Sequence, residues 1–300
     1  MIIKRSRLLK KYADFPLTRI ILGILVVGGA VAFGEWSFSL FFGNFPGNPE
    51  LLDWINTLWI ILLALSSYIL FFRFVEKRRI RELQASDFAF QAGFGFLLGI
   101  TIQSVIIGIL YLVGDYTILI RHPLSFLIPG LTDALVAGFV AEILLQGVLF
   151  RLAEEKMGTG WTVALFVLLF GFIHSGKDAT FYSVLAVALQ AGLLASATYV
   201  YSRSLWVPIF LHFARDYAEP GIFGGINTGI SLKKSLITPR ISGNPLLSGG
   251  PFGPSDSLVA AFLCLVVAAL LLMAAKKKGR FIPPYWKRDS SSVKMGKAQL

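Results

Sequence analysis

Long apolar runs constrain this chain more than any other feature. We count eight, and two of them, Trp161–His174 and Leu205–Tyr217, are shorter than the roughly 20 residues that a helix needs to cross a bilayer. A backbone inside lipid must satisfy its hydrogen bonds internally, so such runs predict helices. The sequence therefore predicts an all-α, polytopic membrane bundle of about eight transmembrane helices. The predicted spans are Leu17–Phe33, Leu51–Phe72, Phe88–Val113, Leu124–Phe150, Trp161–His174, Phe181–Tyr201, Leu205–Tyr217 and Ser257–Ala275.

The composition agrees with this interpretation. Hydrophobic residues make up 55% of the 300 residues and charged residues only 15%, whereas soluble domains carry roughly 25% charged residues. These values exclude intrinsic disorder and disfavour a soluble enzyme. The single cysteine, Cys264, lies inside an apolar run, so no intrachain disulfide is predicted.

The net charge of +11 is concentrated in three short segments, 1–19, 73–81 and 276–297, which hold six, five and eight Lys or Arg residues. A cytoplasmic N-terminus places 22 basic residues inside and five outside, as the positive-inside rule requires. We therefore expect both termini in the cytoplasm, a location in the cell membrane and contact with membrane lipids. No nucleic-acid partner is expected, because that needs a folded basic face.

The first run has two interpretations. Its basic start, its apolar stretch and Ala30-Val31-Ala32 resemble a cleavable signal peptide. The long basic region and the continuation of the apolar run into Phe33 favour an uncleaved first span.

The chain divides into five predicted parts. Residues 1–123 hold the basic head and the first three spans, and residues 124–220 form the core that carries most intramembrane ionisable groups. A Gly/Pro/Ser-rich external loop, either a lid or a flexible connector, covers 221–256. The last span follows at 257–275, and 276–300 is expected to be a basic, disordered cytoplasmic tail.

Ionisable residues inside the predicted spans are few: Asp133, Glu142, His174, His212, Arg215 and Asp216. Each is costly in lipid, so each is a functional candidate. Glu142 and Gln146 are four residues apart, as are His212 and Asp216, and each pair shares one helical face. The alternative is that these groups only bond to one another between helices.

A turn between the fourth and fifth spans predicts that Glu142 and His174 face each other. Gly158 is midway between them in sequence, so in an antiparallel hairpin both residues lie at one height, about 24 Å from the turn.

Several known protease sites are absent from the sequence, including HExxH and GxSxG. Glu142, His174, His212 and Asp216 remain. A carboxylate and an imidazole can take a proton from water, while a second His stabilises an oxyanion. Glu142, His174 and His212 also match the donor types of a catalytic zinc site. The residues alone leave both chemistries open.

Three motifs carry a family resemblance: AEILLQGVLFRL, then FGFIH, then SLWVPIFLHFARD. They resemble the CAAX protease and bacteriocin-processing (CPBP, Abi) family of intramembrane endopeptidases, whose pattern is EExxxR followed by Gly, then FxxxH, then HxxxN or HxxxD. The second motif is intact at Phe170 and His174, and the third at His212 and Asp216. The resemblance covers roughly residues 125–220 and implies cleavage of a membrane-associated peptide or protein.

The first motif departs from the family pattern. Glu142 matches the second Glu, but Ala141 replaces the first Glu, which the resemblance implies as the water-activating base, and Gln146 replaces the Arg. Arg151 lies five residues beyond Gln146, about 140° around an α-helix, so we expect that it cannot replace the lost Arg.

Three functions stay open. In the first, Glu142 becomes the base or a ligand, and the protein is an intramembrane endopeptidase. In the second, the protein is a pseudoprotease that keeps the fold for membrane binding or immunity. The third is a small-solute transporter, which predicts internal repeats that the sequence does not show.

Overall fold

The computed structural model describes residues 15–176, 179–226 and 234–288. Helices dominate, and π-helical stretches continue several of them. These stretches are Phe71–Val75, Ile143–Phe150, Ala188–Leu194 and Ala218–Ile222. Short 3-10 turns lie at Ala85–Asp87, Leu124–Leu127, Gly250–Phe252, Pro254–Asp256 and Tyr285–Lys287. The α-helices are Pro16–Phe42, Pro49–Leu70, Phe88–Val113, Leu131–Glu142, Arg151–Ile173, Phe181–Val187, Ala195–Ser202, Trp206–Tyr217, Pro245–Ser248 and Leu258–Lys277.

Local sequence signals set several helix starts. The Asn48 side chain accepts a hydrogen bond from the Glu50 backbone, with Pro49 in the first turn. Thr180 forms a capping box with Ser183. The Ser257 side chain accepts from the backbone of Ala260 and begins the last long helix. These caps satisfy backbone N–H groups that would otherwise be costly at a membrane boundary.

Among the described residues, six helical segments are long and apolar enough to cross a membrane: Pro16–Phe42, Pro49–Val75, Ala85–Val113, Leu124–Ile173, Phe181–Ser202 and Leu258–Lys277. The all-α, polytopic bundle is thus confirmed, whereas the count of eight spans is not. Leu124–Ile173 merges the predicted fourth and fifth spans, with a non-helical break at Gly158 (φ 75°, ψ 166°). Trp206–Tyr217, which continues as a π-helix to Ile222, is not among the six segments.

The chain forms two compact units. The first contains the described residues up to 80, 140–162 and 281–288. Here Arg19 binds two carboxylates, with its Nε 2.8 Å from Glu76 Oε1 and its Nη1 2.8 Å from Glu155 Oε2. These contacts join the start of the first helix to two other helical segments of the unit.

The predicted tail is ordered where the structure describes it. The last long helix ends at Lys277, and Ile282 is buried. The backbone N–H of Thr159 donates to the oxygen of Ile282 at 2.9 Å, and the backbone N–H of Ile282 donates to the Thr159 hydroxyl oxygen at 2.8 Å. Within the predicted tail, 281–288 belongs to the first unit, where Ile282, Pro283 and Pro284 lie against the Gly158 turn. Residues 289–300 lie outside the described residues.

The second unit contains the described residues of 81–139 and 163–280. Its core packs four helical segments together around small and aliphatic side chains. The buried members are Ile102, Ile106, Leu194, Ala197, Leu211, Ala260, Cys264 and Ala268. Because Leu211 belongs to this core, the helix that carries the third motif is anchored by hydrophobic packing next to His212.

The Gly/Pro/Ser-rich segment 221–256 contains regular structure in its described part. Ile237–Ile241 is a strand that pairs antiparallel with Tyr116–Arg121, in the register Tyr116 opposite Ile241 and Arg121 opposite Ile237. Neither strand was predicted from the sequence. Part of the segment, 227–233, lies outside the described residues.

Candidate functional site

His174 follows the end of a long helix and is half-buried. Its Nδ1 lies 3.0 Å from the backbone oxygen of Phe170, one turn earlier. A carbonyl only accepts, so Nδ1 carries the proton and Nε2 has the lone pair in the neutral ring. The Phe170 ring stacks beside the imidazole at 6.3 Å between centroids. The second motif thus presents an oriented imidazole with Nε2 as its basic atom.

The third motif forms a hydrogen-bonded pair. His212 Nε2 lies 3.1 Å from Asp216 Oδ2, one helical turn away. Both side chains are partly accessible, at 24% and 36%. The carboxylate accepts from Nε2, so Nδ1 is the acceptor in the neutral ring and becomes a donor when the ring is doubly protonated. A carboxylate partner stabilises that charged form.

Glycines let two helices approach the His212 helix closely. A Cβ at Gly95 would lie 2.3 Å from the oxygen of Val207, and one at Gly99 would lie 2.7 Å from the oxygen of Leu211. These glycines form a GxxxG pattern, which suits close packing of helices in membranes. On another helix, a Cβ at Gly138 would lie 2.8 Å from the oxygen of Ile209. Backbone contact thereby fixes the position of His212.

Glu142 and Gln146 belong to the first unit and are 2% and 0% exposed. Glu142 ends an α-helix, and Gln146 lies in the π-helical stretch Ile143–Phe150 that follows. Both amide atoms of Gln146 lack a hydrogen-bond partner among the described residues. π-Helical turns are rare and frequently occur at functional sites. The first motif therefore combines a buried carboxylate with an unsatisfied buried amide.

Arg151 follows the π-helical stretch Ile143–Phe150 directly, and its backbone N–H donates to the oxygen of Val148. Arg151 is 1% exposed, and its guanidinium carbon lies 5.5 Å from the centre of the Phe72 ring. That Arg151 cannot take the place of the missing Arg stays a prediction.

Glu142 lies in the first unit, whereas His174, His212 and Asp216 lie in the second. The facing of Glu142 and His174 therefore stays a prediction.

The proposed zinc ligands can be tested within each unit. Neither unit, as far as its residues are described, contains three or more His, Cys, Asp or Glu side chains grouped to hold a metal ion. The donor types of Glu142, His174 and His212 suit zinc, but no unit forms a metal site alone.

A buried polar cluster in the second unit was not predicted. Glu219 is fully buried and accepts a hydrogen bond from Gln103 Nε2 at 2.6 Å. The Ser255 backbone nitrogen lies 3.1 Å from Glu219 Oε2, and the Ser255 hydroxyl also donates to that oxygen. Asp256, the next residue, is 2% exposed. We call Gln103, Gln190, Arg215, Glu219, Ser255 and Asp256 the carboxyl cluster.

Burial dominates the protonation of the two acids in the carboxyl cluster. It raises the pKa of Glu219 to about 8, against the lowering effect of hydrogen bonds from Ser255 and the charge of Arg215. It raises the pKa of Asp256 to about 7, although Arg215 again lowers it. Both acids can therefore change charge near neutral pH.

Polar but non-ionisable residues inside the predicted spans are the sequence signal for part of this cluster. Gln103 and Gln190 lie inside two of those spans. Glu219 and Asp256 lie just outside span ends, so they were not counted as intramembrane. No local pattern predicts that Ser255, 36 residues away in sequence, bonds to Glu219.

The comparisons with known proteins agree with the motifs. Residues 123–218 match the family model described as type II CAAX prenyl endopeptidase Rce1-like. The match covers all three motifs and 96 of the 300 residues. No curated protein and no solved structure gives a significant match. The apolar helices make the chain an integral membrane protein, and its residues 123–218 are similar to the Rce1-like type II CAAX prenyl endopeptidases.

Proposed function

We propose that the protein is an intramembrane endopeptidase of the cell membrane that hydrolyses a peptide bond in a membrane-associated peptide or protein. The observation that carries this proposal is the intact pair of later motifs, in which two imidazoles are oriented by hydrogen bonds. The backbone oxygen of Phe170 accepts a hydrogen bond from His174 Nδ1, and Asp216 Oδ2 accepts one from His212 Nε2. The match of residues 123–218 to CAAX-type endopeptidases supports the same reaction class.

The proposed reaction needs a base, a water and an oxyanion donor. Glu142, with His174 Nε2, takes a proton from water while the water oxygen bonds to the scissile carbonyl carbon. Doubly protonated His212 donates from Nδ1 to the resulting oxyanion, and Asp216 stabilises its charge. The C–N bond then breaks as the amine receives the proton taken from water, and the new carboxylic acid loses its remaining proton to solvent to become a carboxylate.

The replacement of the first motif Glu by Ala141 favours a second candidate, a pseudoprotease that binds membrane peptides without cleaving them. Loss of a general base costs factors of about 10² to 10⁴ in rate. In the protease proposal, Glu142 supplies this base. The two candidates therefore differ on whether Glu142 is needed for cleavage.

The test is peptide hydrolysis by purified protein in liposomes. The probes are internally quenched peptides of one sequence, with and without a C-terminal prenylcysteine tripeptide. We expect cleavage by wild type. For Glu142→Ala and His174→Ala we expect cleavage rates that are lower by about 10²-fold or more. An inactive wild type that gains activity through Ala141→Glu would reject the protease proposal in favour of the degenerate site. Metal analysis of the same preparation tests zinc separately.

A further inference from the structure

Arg215 joins the His212–Asp216 pair to the carboxyl cluster. It precedes Asp216 on the same helix and is 7% exposed. Its Nη2 donates to Gln190 Oε1, and Gln190 Nε2 in turn donates to the backbone oxygen of Ser255. The motif helix is thus linked by side-chain hydrogen bonds to a π-helical segment and to the residues just before the last long helix.

The same guanidinium acts on the two buried acids. The charge of Arg215 opposes the protonation of both Glu219 and Asp256, while Asp216 and Asp256 repel each other electrostatically. A buried charge without a compensating partner is strongly destabilising. The positive charge of Arg215 therefore partly compensates these carboxyl groups when they are ionised.

We propose that Arg215 is a positioning residue for the His212–Asp216 pair, held by Gln190 and by the charges of the carboxyl cluster. The proposal rests on the proposed function. Arg215 does not need to touch the substrate. It fixes the rotation of the motif helix and offsets the repulsion between Asp216 and Asp256, so that Asp216 stays in place as the acceptor for His212.

The test compares four variants in the liposome peptidase assay: Arg215→Gln, Arg215→Lys, the double variant Arg215→Gln/Asp256→Asn, and the control Arg240→Gln. Arg240 is exposed on a strand of the same unit, so its variant makes the same chemical change without touching the cluster. Small misplacements of catalytic groups cost up to about 10²-fold in rate. For Arg215→Gln we expect a kcat at least about 10-fold lower, with KM little changed.

Rescue separates positioning from a structural role. Arg215→Lys keeps the charge and should recover part of kcat. The double variant removes the repelling carboxylate together with the cation, so it should be more active than Arg215→Gln alone. A wild-type kcat in Arg215→Gln, or a double variant no better than the single one, overturns the proposal.

Unfolding gives a readout that does not depend on activity. Cys264 is the single cysteine of the chain and is fully buried, so labelling by a thiol-reactive dye reports opening of the second unit. If the kcat of Arg215→Gln falls only in proportion to the labelled fraction, Arg215 is merely structural and the proposal is overturned. If wild type cleaves no probe, the proposed function fails and the positioning role of Arg215 is overturned with it. If the double variant Arg215→Gln/Asp256→Asn is then still more stable than Arg215→Gln, the charge compensation between Arg215 and Asp256 stands by itself.

Discussion

His212 and Asp216 form a 3.1 Å contact between Nε2 and Oδ2 across one turn of a single helix. The backbone places the two side chains on one face, and close glycine contacts at Gly95 and Gly99 hold that helix in place. Orientation of the imidazole therefore needs an acceptor at position 216, whether or not the acceptor is charged.

This contact predicts different effects for two substitutions of Asp216. Asp216→Asn keeps an oxygen that accepts from His212 but loses the charge that stabilises doubly protonated His212, so we expect only part of the peptidase activity to remain. Asp216→Ala removes the acceptor, and kcat should fall by about 10²-fold or more. Rates measured in the liposome assay check both; equal losses in the two variants would contradict the orienting role of Asp216.

Close packing at Gly99 predicts a loss of stability when a single methyl group is added. A Cβ there would lie 2.7 Å from the Leu211 oxygen and 2.8 Å from Ala214 Cβ. Gly99→Ala should therefore cost about 1–3 kcal/mol, measured as easier thiol labelling of Cys264.

Gly108 offers a matched control on the same helix. A Cβ at Gly108 meets no atom within 4 Å. Gly108→Ala should gain stability slightly, because alanine is the better helix former by about 1 kcal/mol. Equal effects of the two substitutions would mean that the close approach at Gly99 does not hold the motif helix.

The sequence predicted the helical bundle, the long span Phe88–Val113 and the break at Gly158, because apolar runs and glycine have local meaning. It also paired His212 with Asp216, since four residues make one helical turn. It missed the π-helix Ile143–Phe150, as its pattern looks like that of an α-helix. The carboxyl cluster was missed because its bonds join residues distant in sequence.

The buried Glu219 predicts that stability falls as pH rises. An unfolded glutamate titrates near 4.5, whereas burial raises the pKa of Glu219 to about 8. The folded state binds the proton more tightly between these values, so the free energy of unfolding decreases from about pH 4.5 to about pH 8 and then levels off. Asp256 adds to the decrease up to about pH 7.

Glu219→Gln separates the contributions of the two acids. The amide keeps an oxygen acceptor for Ser255 but has no charge to bury. The unfolding temperature is followed by tryptophan fluorescence at several pH values. As the pH rises above 7, this temperature should continue to fall in wild type and stay constant in Glu219→Gln. The exposed residue Glu50 supplies the control, and Glu50→Gln should follow wild type. A variant curve parallel to that of wild type above pH 7 would show that Glu219 does not titrate there.

Peptide hydrolysis by Glu142- and His174-activated water is the central claim, and isotope incorporation tests it most directly. The purified protein in liposomes is incubated with the two quenched peptides in H₂¹⁸O, and the products are analysed by mass spectrometry. We predict a single cleavage position, one ¹⁸O atom in the new C-terminal carboxylate, and no product with His174→Ala. Absence of labelled product with wild type, or the same product from His174→Ala, would contradict the claim.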